Sequence, residues 1–151
     1  MRAFAERVDG WRRYTRLRHT FRSFYEVIIE AQPCHAYLDL EYRVAANPHC
    51  NGARMVRTVR EALATLVERR LGVAVSDECF VELDSSTDAK FSRHVVLKLP
   101  GGAAFADNSH VGRLVRECVD ELRVRRDAGD AAAAELWVAE ERRQEVRRRA
   151  D

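Results

Sequence analysis

Residues 83–99 read LDSSTDAKFSRHVVLKL, and the rest of the chain is organised around them. The first half of this stretch is rich in short polar side chains that hydrogen-bond their own backbone, which predicts a turn at residues 84–88. The second half alternates, so a β-strand would present Lys90, Ser92 and His94 on one face. The opposite face of that strand would then carry Phe91, Arg93, Val95 and Leu97.

The first of these faces has the chemistry of a polyanion site. A strand rises about 3.3 Å per residue, so alternate side chains lie roughly 6.6 Å apart. An ammonium, a hydroxyl and an imidazole presented together on a rigid element suit a triphosphate. The row therefore predicts phosphate binding by Lys90, Ser92 and His94.

Residues 34–42, CHAYLDLEY, form a second alternating stretch that carries two acids. A strand would place Asp39 and Glu41 on one face, with leucine and tyrosine side chains on the other. Two close carboxylates repel each other unless a positive group lies between them, and hard divalent cations are the usual partner. Carboxylates for a metal ion on one strand and cationic groups for phosphate on another are the components of a nucleotidyl-transfer site.

The composition is that of a soluble globular domain. The chain has 151 residues, of which 46% are hydrophobic and 33% charged, which is enough for one domain with a substantial core. No apolar run approaches the roughly 20 residues needed to cross a bilayer, and no signal peptide is visible. The four cysteines are scattered without a Cys-x-x-Cys pair, which favours a reducing, intracellular compartment.

The net charge of +2 conceals a basic flank at residues 2–22, which contains seven arginines and only two acidic residues, Glu6 and Asp9. Such a flank suits a polyphosphate or nucleic-acid partner, because phosphate contacts dominate that kind of binding. The same arginines also fit the solvated face of a helix.

The order of predicted elements indicates an α+β fold, with helices packed on a mostly antiparallel sheet. Strands are predicted at residues 21–30, 34–42, 79–83 and 90–99. Apolar residues three and four apart predict one helix at residues 54–71, ended by Gly72, and a second that begins after Ser109 as N-cap. Residues 1–126 are predicted to form the domain, and the alanine- and arginine-rich residues 127–151 a charged helical extension or linker.

Together these stretches resemble the PrimPol branch of the archaeo-eukaryotic primase superfamily. The similar segments are CHAYLDLEY at 34–42, AANP at 45–48, LDSSTDAKFSRHVVL at 83–97 and AFADNSHVG at 104–112. The likeness extends over about residues 21–122, and the long LDSSTD-x-KFSRH motif is highly specific. The resemblance implies a primase catalytic core whose sheet is like that of an RNA-recognition motif. It also implies that this chain carries only part of that core.

The resemblance also implies roles for individual residues. Asp39 and Glu41 match the metal motif and would be catalytic, binding Mn²⁺ or Mg²⁺. Lys90, Ser92, Arg93 and His94 would contact the triphosphate of the incoming nucleotide. Tyr25 matches an aromatic position that faces the nucleotide sugar and limits the use of ribonucleotides.

The activity that the resemblance implies is template-directed priming and extension of DNA, with transfer of a nucleotide to a 3′-hydroxyl and release of pyrophosphate. It further implies a role in replication restart or damage tolerance, including translesion synthesis. The expected partners are single-stranded DNA template, primer and nucleoside triphosphates, with no membrane. A monomer in the nucleus or the mitochondrial matrix is expected.

The chain departs from the family pattern after Arg126. The family's third motif, an apolar-Asp-apolar strand, and its zinc module have no counterpart there, which predicts a slice of the catalytic module. An alternative function is therefore a catalytically incomplete module that binds nucleotide or nucleic acid. A metal-dependent phosphodiesterase would share the two carboxylates but would not explain the row of Lys90, Ser92 and His94.

Overall fold

A computed structural model of the chain describes residue 16 and residues 28–139. The strands and α-helices within residues 28–139 are, in order, β1 (Ala36–Arg43), α1 (Gly52–Leu71), β2 (Phe80–Asp84), β3 (Lys90–Leu97), α2 (Asn108–Asp127) and α3 (Ala131–Ala134). Most of the basic flank and Tyr25 lie outside the described residues. So does most of the strand predicted at residues 21–30, whose described end at residues 28–30 is not in a strand.

The three strands form one antiparallel sheet in the order β1–β3–β2. The sequence neighbours β2 and β3 pair as a hairpin, as predicted from the turn-rich stretch between them. β1 is added on the other side of β3, so β3 is the central strand of the described sheet. The predicted α+β class, with helices on an antiparallel sheet, is confirmed.

Both ends of α1 are set by local side-chain and backbone chemistry. The Asn51 side chain caps the N-terminus by accepting the Arg54 N–H at 3.0 Å, so the helix begins two residues earlier than predicted. At the other end, Gly72 adopts φ of 65° and donates its N–H to the Glu68 carbonyl at 2.9 Å. The predicted termination at Gly72 is confirmed.

The N-terminal cap of α2 differs from the prediction. The structure places Asp107 at the cap, where its carboxylate accepts the His110 N–H at 2.7 Å. Ser109, predicted as the cap, lies inside the first turn. The prediction was wrong because Asp107 has the extended backbone and the reach to the third helical amide that a cap requires.

The helices cover one face of the sheet, and the core lies between them. The apolar stripes of α1 and α2 pack against even-numbered residues of β1, such as Ala36, and odd-numbered residues of β3, such as Leu97. The buried core residues include Ala36, Leu63, Leu66, Val67, Leu97, Phe105, Leu114, Cys118 and Leu122. No helix in residues 28–139 is long and apolar enough to cross a membrane.

The chain continues to pack on the domain after α2. Ala133 in α3 is fully buried in the core, although residues 127–151 were expected to bury little. Glu135 bonds the Arg54 side chain at 2.6 Å, and Asn47 exchanges two hydrogen bonds with the Ala139 backbone, at 2.7 and 3.1 Å. The described part of this segment is therefore attached to the domain, while the boundary at residue 126 remains a prediction.

Candidate active site

The register of β1 against β3 places acids opposite basic and hydroxyl side chains. Asp39 pairs with His94 and Glu41 pairs with Ser92, and Lys90 follows two residues from Ser92. Directly opposed residues of an antiparallel pair point to the same side of the sheet. These five residues therefore share one face, called the site face here, and α1 and α2 pack on the other.

Each acid of the site face contacts a base of the neighbouring strand. The Lys90 Nζ lies 2.5 Å from Glu41 Oε2, and the His94 Nε2 lies 3.3 Å from Asp39 Oδ1. The hydrogen bond from Lys90 holds the pKa of Glu41 below its ordinary value. The side chains of Asp39 and Glu41 are 48% and 52% exposed, so both pairs are open to solvent and to ligands.

Ser92 differs from its neighbours because it is almost completely buried, with 3% of its surface exposed. It sits between the flanking Lys90 and His94 on β3 and opposite Glu41 on β1. Its backbone is held by the turn that precedes β3, through the side chain of Ser86. Ser92 is therefore the most deeply buried member of the site face.

Tyr37 also belongs to this side of the sheet, although no role was predicted for it. Its ring meets the His94 ring edge-on, with 5.5 Å between centroids. Partial burial, and secondarily the charge of Asp39, raise the pKa of the Tyr37 hydroxyl. The signal was present in the sequence, because Tyr37 has the same alternation as Asp39 and Glu41.

The structure does not bring Arg93 to the site face. Arg93 lies opposite Leu40 and points to the helix side of the sheet, where its guanidinium stacks on the Phe91 ring at 5.1 Å. It also forms an ion pair with Asp84 and donates to the Ser86 hydroxyl at 2.8 Å. Of the predicted site residues, Tyr25 lies outside the described residues.

The two carboxylates offer a partial set of ligands for a hard cation. Magnesium is commonly held by one or two carboxylates, with water and substrate phosphate completing the shell. Asp39 and Glu41, both half-exposed and separated by one residue of strand, fit that donor set. No three His, Cys, Asp or Glu side chains in the described residues come together as a metal site.

A cavity beside the two acids lies between β1 and the helices. It encloses about 340 Å³ along the edge of β1, under the helices. Apolar side chains such as Val59, Val119 and Trp137 line it together with residues 39–42. This lining offers no cationic group for a phosphate.

Comparison with known proteins identifies relatives of the chain. No protein-family model matches it. It is 40% identical over 107 residues to the DNA-directed primase/polymerase protein of Danio rerio, and 41% identical over 104 residues to that of Homo sapiens. The Gallus gallus protein of the same name is 41% identical over 107 residues.

These alignments cover most of this chain but little of the relatives. They include 71%, 69% and 70% of the chain, against 20%, 18% and 18% of the three proteins. The chain therefore spans about a fifth of the length of the curated relatives that it matches. The resemblance inferred from the motifs is confirmed: over about 70% of its length, this chain is homologous to the DNA-directed primase/polymerase proteins.

Proposed function

We propose that this chain carries part of the active site of a template-directed DNA primase and polymerase. Such an enzyme transfers a nucleotide from a triphosphate to a 3′-hydroxyl and releases pyrophosphate. The observation that carries the proposal is the β1–β3 register, which sets the half-exposed Asp39 and Glu41 against His94 and Ser92 on one face of the sheet. The names of the homologous proteins support the same activity.

In this proposal Asp39 and Glu41 bind the divalent cation, Mn²⁺ or Mg²⁺, on which the reaction depends. When bound, such an ion neutralises phosphate charge and lowers the pKa of an attacking hydroxyl. Lys90, Ser92 and His94 hold the phosphates, so that pyrophosphate leaves in line with the attacking oxygen. Arg93 is not included among the direct contacts, because its side chain lies on the helix side of the sheet.

The contacts of the two acids with Lys90 and His94 give the proposal a physical consequence. Glu41 and Asp39 are occupied by Lys90 and His94 in the structure. When Lys90 and His94 turn to phosphate oxygens, the two carboxylates lose their partners and become available to a cation. Metal ion and nucleotide should therefore bind more tightly together than either does alone, since each supplies the charge that the other displaces.

The wider role is part of the same proposal. DNA synthesis during replication restart or damage tolerance would require single-stranded template, primer and nucleoside triphosphates as partners. The nucleus or the mitochondrial matrix and a monomeric state are proposed on the resemblance alone. Limitation of ribonucleotide use by Tyr25 is proposed on the same basis.

The alternative function, a module that binds nucleotide without chemistry, is favoured by one feature of the site. Both carboxylates already have basic partners, so the face could bind phosphate through Lys90 and His94 with no metal ion. Calorimetric titration of a deoxynucleoside triphosphate with and without Mn²⁺ separates the two functions. The polymerase proposal expects binding that strengthens with Mn²⁺, whereas equal binding in both conditions supports the module.

The decisive variant removes both acids, Asp39→Ala with Glu41→Ala. The matched control removes two exposed carboxylates that have no ion pair in the described structure, Glu61→Ala with Glu78→Ala. We expect the first variant alone to lose Mn²⁺-dependent nucleotide binding and any template-directed primer extension. Retained Mn²⁺ dependence in the first variant would refute the assignment of the metal ligands.

A further inference from the structure

The hydroxyl of Ser86 uses its full hydrogen-bonding capacity. It accepts the Ser92 N–H at 3.0 Å and the Arg93 guanidinium at 2.8 Å, and it donates to the Ser92 carbonyl at 3.2 Å. A serine hydroxyl has one proton and two lone pairs, so no further strong bond is available to it. Ser86 is therefore committed to β3 and has nothing left to offer a ligand.

The Ser86 hydroxyl takes the place of a backbone carbonyl as hydrogen-bond acceptor where the pairing of β2 with β3 ends. The ladder between the two strands ends at the pair of Asp84 with Arg93. At the next position, Ser85 still donates its N–H to the Ser92 carbonyl at 3.1 Å. The return bond from the Ser92 N–H goes to the Ser86 side chain instead of to a backbone carbonyl. The buried backbone of Ser92 thus depends on one side chain of the turn.

Hydrogen bonds also fix the turn between β2 and β3 near both of its ends. The Ser86 N–H donates to Asp84 Oδ1 at 2.8 Å, a bond that also lowers the pKa of that carboxyl. Thr87 and Lys90 exchange two backbone bonds, at 2.8 and 3.2 Å, which close the hairpin. Arg93 joins the assembly by its ion pair with Asp84 and its bond to Ser86.

We propose that Ser86 is a positioning residue for the candidate active site, and that Arg93 supports it from the helix side of the sheet. By fixing the backbone of Ser92, Ser86 sets the spacing of the row from Lys90 to His94 that would meet the triphosphate. This inference deepens the proposed function and rests on it. Ser86 acts through Ser92 and does not contact the nucleotide.

The test compares Ser86→Ala with Ser86→Thr and Ser85→Ala. The threonine variant keeps the hydroxyl, and Ser85 is an exposed neighbour whose side chain has no hydrogen bond within the described structure. Two quantities are measured in each variant: hydrogen exchange at the Ser92 amide, relative to the Val96 amide of the same strand, and the affinity for a deoxynucleoside triphosphate with Mn²⁺. Both are measured well below the unfolding temperature.

We expect Ser86→Ala to accelerate exchange at Ser92 and to weaken nucleotide binding, each by about fivefold to tenfold, which is the loss of roughly one hydrogen bond. Exchange at Val96 should not change, Ser85→Ala should behave like the wild type, and Ser86→Thr should restore both quantities.

Each contrary outcome has a distinct meaning. Unchanged exchange at Ser92 in Ser86→Ala would overturn the inference at its structural step. Faster exchange with unchanged nucleotide affinity would also overturn it, because Ser86 would then only stabilise the turn, while the proposed function would stand. If the wild type binds no nucleotide, the proposed function fails, and the positioning role fails with it even where the exchange result shows the hydrogen bond.

Discussion

Asp39 and His94 face each other across the β1–β3 pair, with Asp39 Oδ1 3.3 Å from His94 Nε2. The contact joins two residues that are 55 positions apart in the chain, and the Tyr37 ring supports the imidazole from the side. The acid is half-exposed and the imidazole is less exposed. The contact therefore connects the proposed metal ligands to the proposed phosphate ligands, and a ligand can still reach both.

The first prediction concerns His94. In His94→Asn we expect nucleotide affinity to fall by about tenfold, because a charge-assisted bond to phosphate is lost while the size of the side chain is nearly kept. Calorimetric titration with Mn²⁺ present measures the change, and in an active preparation it would appear as a raised KM. His49→Asn, which changes an exposed histidine outside the site face, is the control and should bind normally. Equal affinity in His94→Asn and the wild type would contradict the role.

The contact of Lys90 with Glu41 predicts how the stability of the fold changes at acidic pH. Because Lys90 lowers the pKa of Glu41, this carboxyl binds fewer protons in the folded than in the unfolded chain. Its contribution to stability is present above the unfolded pKa, near 4.5, and is lost as the pH falls through the lower folded value. Lys90→Met should move the Glu41 pKa back toward its ordinary value, as followed by carbon NMR of the carboxyl group.

Glu41→Gln complements that measurement. We expect the free energy of unfolding at neutral pH to change little, because solvent-exposed ion pairs contribute little to stability. The variant should also lose part of the fall in stability below pH 4.5. A Glu41 pKa that is the same in Lys90→Met and in the wild type would show that the pair does not form in solution.

Gly52 tests the packing behind the site face. A Cβ at this position would overlap the ring of Phe91, which stacks on Tyr42 with 4.9 Å between centroids. Gly52→Ala should therefore destabilise the fold by about 1–3 kcal/mol through overpacking. Gly112→Ala, within α2, where a Cβ would lie 3.5 Å from the Arg116 side chain in ordinary van der Waals contact, should instead stabilise it by about 0.5–1 kcal/mol. Chemical denaturation of both variants checks the opposite signs, and destabilisation of similar size in both would contradict the steric explanation.

Asn47 tests the attachment of the segment after α2. The side chain is buried and bonds the Arg43 carbonyl at 3.1 Å as well as both backbone groups of Ala139. Asn47→Ala leaves these groups without partners and should cost about 1–3 kcal/mol. Hydrogen exchange at the Ala139 amide should accelerate with it. Asn108→Ala, an exposed asparagine with no side-chain bond in the described structure, should leave that exchange unchanged. Unaltered exchange in Asn47→Ala would refute the attachment.

The strongest predictions from the sequence were those that depend on neighbouring residues. Alternation with a period of two assigned Asp39 and Glu41 to one face of a strand, and Lys90, Ser92 and His94 to one face of another. The termination of α1 at Gly72 followed from backbone freedom at a single position. The turn before β3 followed from the tendency of short polar side chains to bond nearby backbone groups, as Asp84 does with Ser86.

One failed prediction, the Ser109 cap of α2, is local, whereas the other features that the sequence did not predict depend on contacts between elements. The burial of Ala133 cannot be read from an alanine-rich segment, because alanine fits both a solvated helix and a core. Alternation places Arg93 on the face of β3 opposite Lys90, Ser92 and His94, and the tertiary structure adds that this face packs against the helices. The role of Ser86 requires knowing where β2 leaves β3.

Which side chains share a face of each strand follows from the order of residues alone, because it is fixed by covalent geometry. The position of β1 beside β3, in the register that sets Asp39 opposite His94, instead depends on the folded chain. A shift of two residues would have kept the acids on the same face but paired Asp39 with Ser92 or Val96, and alternation within either strand cannot exclude it. That register is selected by the burial of Ala36, Val95 and Leu97 against the helices, a contact between segments far apart in the chain.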